Sequence, residues 1–92
     1  MVIRYRILTE HVSPALIARY FDGFSLLKGQ GFYKGKGEST TIIEIIGTVD
    51  DGVKVRTLAA DIREQYRQAE VWITTEEVTL TRVTIDAVKD GF

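Results

Sequence analysis

Residues 28 to 39 read KGQGFYKGKGES, which places four glycines, three lysines, two aromatics and one acid in twelve positions. Glycines let backbone N–H groups approach an anion, and Lys34 and Lys36 can neutralise phosphate charge. Phe32 or Tyr33 can stack on a base, and Glu38 can accept a hydrogen bond from a base or ribose. Gly29, Gly31, Phe32, Tyr33, Lys34, Gly35, Lys36 and Glu38 are therefore candidate ligand-binding residues. The same composition also suits an exposed hairpin whose glycines relieve turn strain and whose lysines keep it soluble.

Two familiar phosphate-binding loops do not fit. A Walker loop has four residues between its first glycine and Gly-Lys, whereas Gly31 and Gly35 enclose three, and Gly37 replaces the magnesium-holding hydroxyl. Gly29-Gln30-Gly31 lacks the third glycine of a dinucleotide fingerprint, and a strand follows it instead of a helix. A second basic feature lies further on. Arg56, Arg63 and Arg67 recur at helical spacing, forming a stripe that can grip phosphate or simply face solvent.

The sequence offers no catalytic set. His11, the only histidine, falls in a loop, and Ser13 beside it reads as a helix cap. Asp50-Asp51 marks a helix start and Glu76-Glu77 a turn; neither spacing brings two carboxylates across a substrate. With no cysteine, thiolate metal sites, disulfides and cysteine nucleophiles are excluded. No catalytic residue, metal site or cofactor is expected.

Ninety-two residues with 45% apolar content suit one domain spanning 1–92. Twelve basic against thirteen acidic residues give a net charge of −1, so no global field draws the chain to DNA, RNA or an anionic membrane. No stretch approaches the roughly 18 apolar residues of a membrane span. The expectation is a soluble, cytoplasmic protein.

The elements that position these residues follow from periodicity. Ile3, Tyr5 and Ile7 alternate with arginines as in a half-buried strand. Ser13-Pro14 opens a short helix that Gly23 is expected to stop. Residues 24 to 33 and 38 to 47 read as a hairpin with the glycine-lysine segment at its turn. Asp50 or Asp51 caps a second helix ending near Gln68, with Val55, Leu58, Ala59, Ile62 and Tyr66 on one side. Residues 69 to 75 form the next strand. Residues 77 to 86 are expected to form another, bulged at Thr81-Arg82. The predicted fold class is α+β: a ferredoxin-like β-α-β-β-α-β order with an extra C-terminal strand, two helices covering one face of an antiparallel sheet. Ile43 and Ile45 point one way and Ile42 and Ile46 the other, so the uncovered face is also apolar and self-association is expected.

The order ALIARYFDGFSLLKGQGFYKGKGE, TTIIEIIG, VRTLAADIREQ and AEVWITTEEV resembles the PII signalling superfamily over most of the chain. The run from Asp22 to Ser39 is also similar to small uncharacterised bacterial and phage domains that share a dGf(S/T)ll…G.(W/Y)kG..E.S pattern. The PII resemblance implies a trimer that binds nucleotides between subunits, beneath a mobile loop after the second strand, and acts as a sensor. Carried over, Gly29, Gly31, Lys34, Gly35 and Lys36 are the ligand-loop residues. The loop is much shorter than the usual regulatory loop and has no identifiable modification tyrosine, so nitrogen regulation is not implied. The leading reading is a non-catalytic homo-oligomer, a trimer, that binds a nucleotide-like small molecule, such as a phage-type sponge for a nucleotide immune signal. Two alternatives stay open: a small ferredoxin-like enzyme with an intersubunit cleft, and a protein-interaction module.

Overall fold

The computed structural model describes residues 1–85. Strand β1, Val2–Thr9, buries Ile3, Tyr5, Ile7 and Thr9 and leaves the alternate positions partly open. Helix α1, Pro14–Ala18, begins where the Ser13 hydroxyl accepts from the Ala15 N–H at 3.2 Å. It ends well before Gly23. The N–H groups of Tyr20 and Phe21 both reach the Ile17 carbonyl, an overlapping turn that returns Phe21 to the core instead of extending the helix.

Strands β2, Ser25–Tyr33, and β3, Lys36–Gly47, are paired without interruption from Ser25 opposite Glu44 to Tyr33 opposite Lys36. The glycine-lysine segment is thus ladder almost throughout, and its turn is only Lys34-Gly35. Both turn residues have positive φ, 51° and 79°, the twist that a two-residue hairpin requires. The mobile loop implied by the PII resemblance is replaced here by a regular hairpin arm.

A 3₁₀ turn, Val49–Asp51, leads into α2, Gly52–Gln65. Asp51, not Asp50, organises this start: its carboxylate accepts from the Thr48 N–H at 2.8 Å and its own N–H donates to the Thr48 carbonyl at 3.1 Å. A Cβ at Gly47 would collide with that carboxylate, which explains glycine there. Val55, Leu58, Ala59 and Ile62 are buried along one stripe. The helix stops three residues before Gln68, where Arg67 turns the chain at φ 53° and the Gln68 N–H closes onto the Arg63 carbonyl at 3.0 Å.

Strand β4, Trp72–Val78, runs through Glu76-Glu77 without the expected turn. The extra C-terminal strand does not form among the described residues, and Asp86, its predicted end, lies outside them. β4 pairs with β1 from Leu8 opposite Trp72 to Val2 opposite Val78. The sheet order is β2-β3-β1-β4, antiparallel throughout, with both helices on one face: an α+β, ferredoxin-like fold. Ile7, Ile17, Ile43, Ile45, Val55, Leu58 and Ile62 are fully buried beneath the helices.

The opposite face is less uniformly apolar than the isoleucine alternation suggests. Register aligns Leu27, Ile42, Leu8 and Trp72 in one row across all four strands. Beside it runs an ionic net, with Arg6 to Glu44 at 2.9 Å, Arg4 to Glu76 at 2.8 Å and Arg4 to Glu44 at 3.9 Å.

Candidate functional site

β3 pairs with β1 only as far as Thr41 opposite Thr9, so Lys36–Thr40 and their β2 partners project past the rest of the sheet. Four residue steps from Thr40 to Lys36 make this arm about 13 Å long before the turn. Its residues divide between two faces. On the side of the uncovered sheet face lie Gly29 with Thr40, Gly31 with Glu38, and Tyr33 with Lys36. On the helix side lie Lys28 with Thr41, Gln30 with Ser39, and Phe32 with Gly37.

The two faces offer different surfaces. At Gly29 and Gly31 the β2 backbone is bare, and a Cβ on Gly31 would approach the Thr40 hydroxyl to 2.8 Å. Glu38, Lys36 and Tyr33 border this strip. On the other side, Gly37 leaves room for Gln30 and Phe32 to lie across it: an added Cβ would meet the Gln30 amide nitrogen at 2.7 Å. Lys28 donates to the Thr41 hydroxyl at 3.0 Å, and Thr41 donates onward to the Glu10 carbonyl at 3.3 Å. Among the described residues Lys28 has no carboxylate partner.

Lys28 and Gln30 are not among the candidate ligand-binding residues of the sequence, although both lie in the span expected to be strand. The signal that finds them is strand alternation, which puts residues 28, 30 and 32 on one face. The arm thereby carries a charge, an amide and a ring in a line.

The tip concentrates cost as well as exposure. Lys34 adopts a left-handed backbone that a non-glycine residue takes up at about 1–2 kcal/mol. Its Nζ sits 5.5 Å from the Tyr33 ring centroid, while Phe32 and Tyr33 are 71% and 66% exposed. Arg67 is the other non-glycine residue with positive φ among the described residues. Both are basic candidate residues.

The α2 arginines are only partly brought to the arm. Gln68 bonds Thr9 through its amide nitrogen at 2.6 Å and accepts from the Glu10 N–H at 3.1 Å, fixing the C-terminal end of α2 beside the end of β1 from which the arm projects. Arg63 and Arg67 belong to that end. Arg56, eleven residues before Arg67, lies about 16 Å further along the axis. All three are exposed, and no hydrogen bond or ion pair among the described residues joins them to the arm.

A shallow cavity of about 280 Å³ lies on the uncovered face, lined by Gly23, Phe24, Ser25, Glu44 and Ile46. It falls just under the usual range for small-molecule sites and includes none of the arm residues. His11 is exposed, and its backbone carbonyl accepts from the Thr9 hydroxyl at 3.2 Å. Among the described residues no group of three or more His, Asp or Glu is placed to hold a metal ion. No helix among them is long and apolar enough to cross a membrane. Tyr20 donates to Asp61 at 2.9 Å, and this bond holds its phenol above the ordinary tyrosine range, with burial and the Asp61 charge adding to the shift.

No family model matches the sequence, and no curated protein matches it. Solved structures do share the fold. A phage SAM lyase in complex with S-methyl-5'-thioadenosine aligns with a TM-score of 0.66 at 20% identity, covering 83% of this chain and 81% of that one. CutA from Synechococcus elongatus, complexed with Bis-Tris, aligns at 0.56 and 14% identity over 97% of this chain and 88% of CutA. A DUF3240 family protein from Shewanella baltica aligns at 0.56 and 12% identity, covering 89% and 96%. CutA has a PII-like fold, so the resemblance in the sequence is matched at the level of the fold. At these identities the likeness extends to architecture alone.

Proposed function

We propose that this chain is a homo-oligomeric, trimeric holder of a nucleoside-derived small molecule, bound where the hairpin arm of one copy meets a neighbouring copy. The observation that carries this reading is the arm itself. It extends bare backbone at Gly29 and Gly31, two exposed aromatic rings, Lys34 and Lys36 beyond the sheet, with Lys28 at its base. The shallow cavity on the uncovered face includes none of the arm residues, and a second copy packed against the arm would enclose the site. The aligned row Leu27, Ile42, Leu8 and Trp72 gives that copy an apolar surface to cover.

Within such a site, Phe32 or Tyr33 stacks on the base and Gln30 or Glu38 meets its polar edge. Lys28, Lys34 and Lys36 neutralise any phosphate, with Arg63 and Arg67 alongside and Arg56 more remote. Among the described residues no acid-base pair is arranged, which supports holding, and sequestration of a nucleotide signal is one use for such a holder. The phage lyase bound to S-methyl-5'-thioadenosine favours a second reading, in which the same intersubunit cleft cleaves a thioadenosine-containing substrate.

Native mass spectrometry with ATP, cyclic nucleotides, S-methyl-5'-thioadenosine or SAM added in turn separates these readings. A trimer that retains one of them unchanged supports holding. Conversion of SAM to the thioadenosine supports the lyase. A monomer binding none of them overturns both. Lys34→Ala with Lys36→Ala should weaken binding about tenfold if the lysines contact phosphate; unchanged affinity for a bound phosphorylated nucleotide would remove them from the site.

A further inference from the structure

Helix α2 carries two patterns at once. Val55, Leu58, Ala59 and Ile62 form the stripe that packs on the core. The exposed side repeats every seven residues instead: Val53 and Ala60 are apolar, and Arg56 and Arg63 follow each of them by three positions. All four are exposed, Val53 to 66%. A solvated face asks only for polarity, whereas an apolar and a charged row repeating together every seven residues match a second helix lying alongside.

This flank has no partner within the chain. The α1 side of the helix is taken up by Asp61, which accepts from Tyr20 at 2.9 Å, and by Lys54, 4.7 Å from the Phe21 ring centroid. Arg56 and Arg63 lie well round the axis from both. Among the described residues neither they nor Arg67 forms an ion pair, although Glu64 stands on the same exposed turns. Arg67 holds the C-terminal corner. Its N–H reaches the Glu64 carbonyl at 3.3 Å and the Gln68 N–H reaches that of Arg63 at 3.0 Å, a helix-ending turn whose φ of 53° glycine ordinarily supplies. Gln68 is fastened to Thr9 and Glu10 behind it. An arginine is therefore kept, on a rigid mount, where glycine would relieve the backbone.

The spacing selects the occupant. Arg56 and Arg63 stand about 10.5 Å apart along the axis, two turns of a neighbouring helix, whose residues seven apart share a face. An extended chain covers that distance in about three residues, and alternation turns the third to the opposite side. The exposed rings Phe32, Tyr33 and Trp72 lie on the arm and the uncovered sheet face, so the arginines lack the stacking platform of a single-stranded nucleic-acid site. A second copy of the same flank would set arginine against arginine. We infer that the exposed flank of α2 docks an acidic amphipathic helix of another protein, apolar residues against Val53 and Ala60 and carboxylates on Arg56 and Arg63, with Arg67 at its end. The short Ala60 side chain lets the two axes approach closely. This surface goes beyond the small-molecule reading and requires neither the arm nor an assembled trimer.

The probe is a fluorescein-labelled 21-residue helical peptide with a glutamate at every seventh position and a leucine three residues before each, read by anisotropy against the full chain. A peptide of the same composition with its glutamates spread over three faces is the control. The heptad peptide should bind, and both Arg56→Glu and the reordered control should weaken binding about tenfold. Replacing its glutamates by lysines should restore binding to the Arg56→Glu, Arg63→Glu variant. Circular dichroism checks the fold, with Arg56→Gln used if charge reversal disturbs it. Equal binding of the two peptides, or none by the heptad peptide, overturns the inference. So does loss of peptide binding in the Lys34→Ala, Lys36→Ala variant, which would put the peptide on the arm. An oligo-dT that binds more tightly than the peptide and is released by Arg56→Glu overturns it in favour of a phosphate backbone. None of these outcomes touches the nucleotide reading, which the ligand series tests separately.

Discussion

The two ends of the β2–β3 hairpin share one continuous ladder and one side-chain alternation, yet they rest on different foundations. Near the sheet, Leu26 and Ile43 point at the helices, and Ile43 is wholly buried. Six residues along the same face, Phe32 and Gly37 point the same way, and Phe32 is 71% exposed because no helix reaches that far. Backbone pairing alone therefore does not decide what a strand residue contributes. The layer beneath it does, and a stretch that keeps its ladder without a layer is free to serve another surface.

The comparison can be broken by substitution. Ile43→Ala removes fully buried methyl groups and should lower unfolding free energy by about 2–5 kcal/mol in urea titrations; a loss below 1 kcal/mol would mean that the helices do not pack as described. Gly35→Ala puts a side chain at φ 79° in the turn and should cost about 1–2 kcal/mol, seen as a lower melting temperature. Phe32→Ala should change the stability of the dilute monomer by no more than about 0.5 kcal/mol. A loss comparable to Ile43→Ala would show that the arm folds onto its own domain.

Tyr20 and Asp61 provide the finest contrast, a polar clasp between the α1 turn and α2. Because the folded-state value of Tyr20 is raised, its contribution is complete below the ordinary tyrosine range and is lost as pH rises through the raised value. Tyr20→Phe should remove that alkaline part of the stability profile and leave the rest of its pH dependence unchanged.

Local rules in the sequence were sufficient for much of the fold. Alternation at Ile3, Tyr5 and Ile7, the Ser13-Pro14 start and the stripe from Val55 to Ile62 each act within a few residues, and each is found where periodicity places it. The candidate site was less legible. Residues 24 to 33 and 38 to 47 were legible as the strands of a hairpin, whereas register narrows the turn to Lys34-Gly35, adds Lys28 and Gln30 as site candidates and divides the arm between two faces. The strand expected after Glu77 had suitable β composition, but composition cannot tell whether a partner remains beside it.

The chain's own sequence thus determined which segments are helix or strand and which residues are apolar, because propensity and periodicity are properties of neighbours in the chain. Tertiary structure alone decided where β1 ends relative to β3, which leaves the arm without a third strand beyond Thr41. Strand length and register are settled by pairing between distant segments, and no local pattern encodes when a partner runs out.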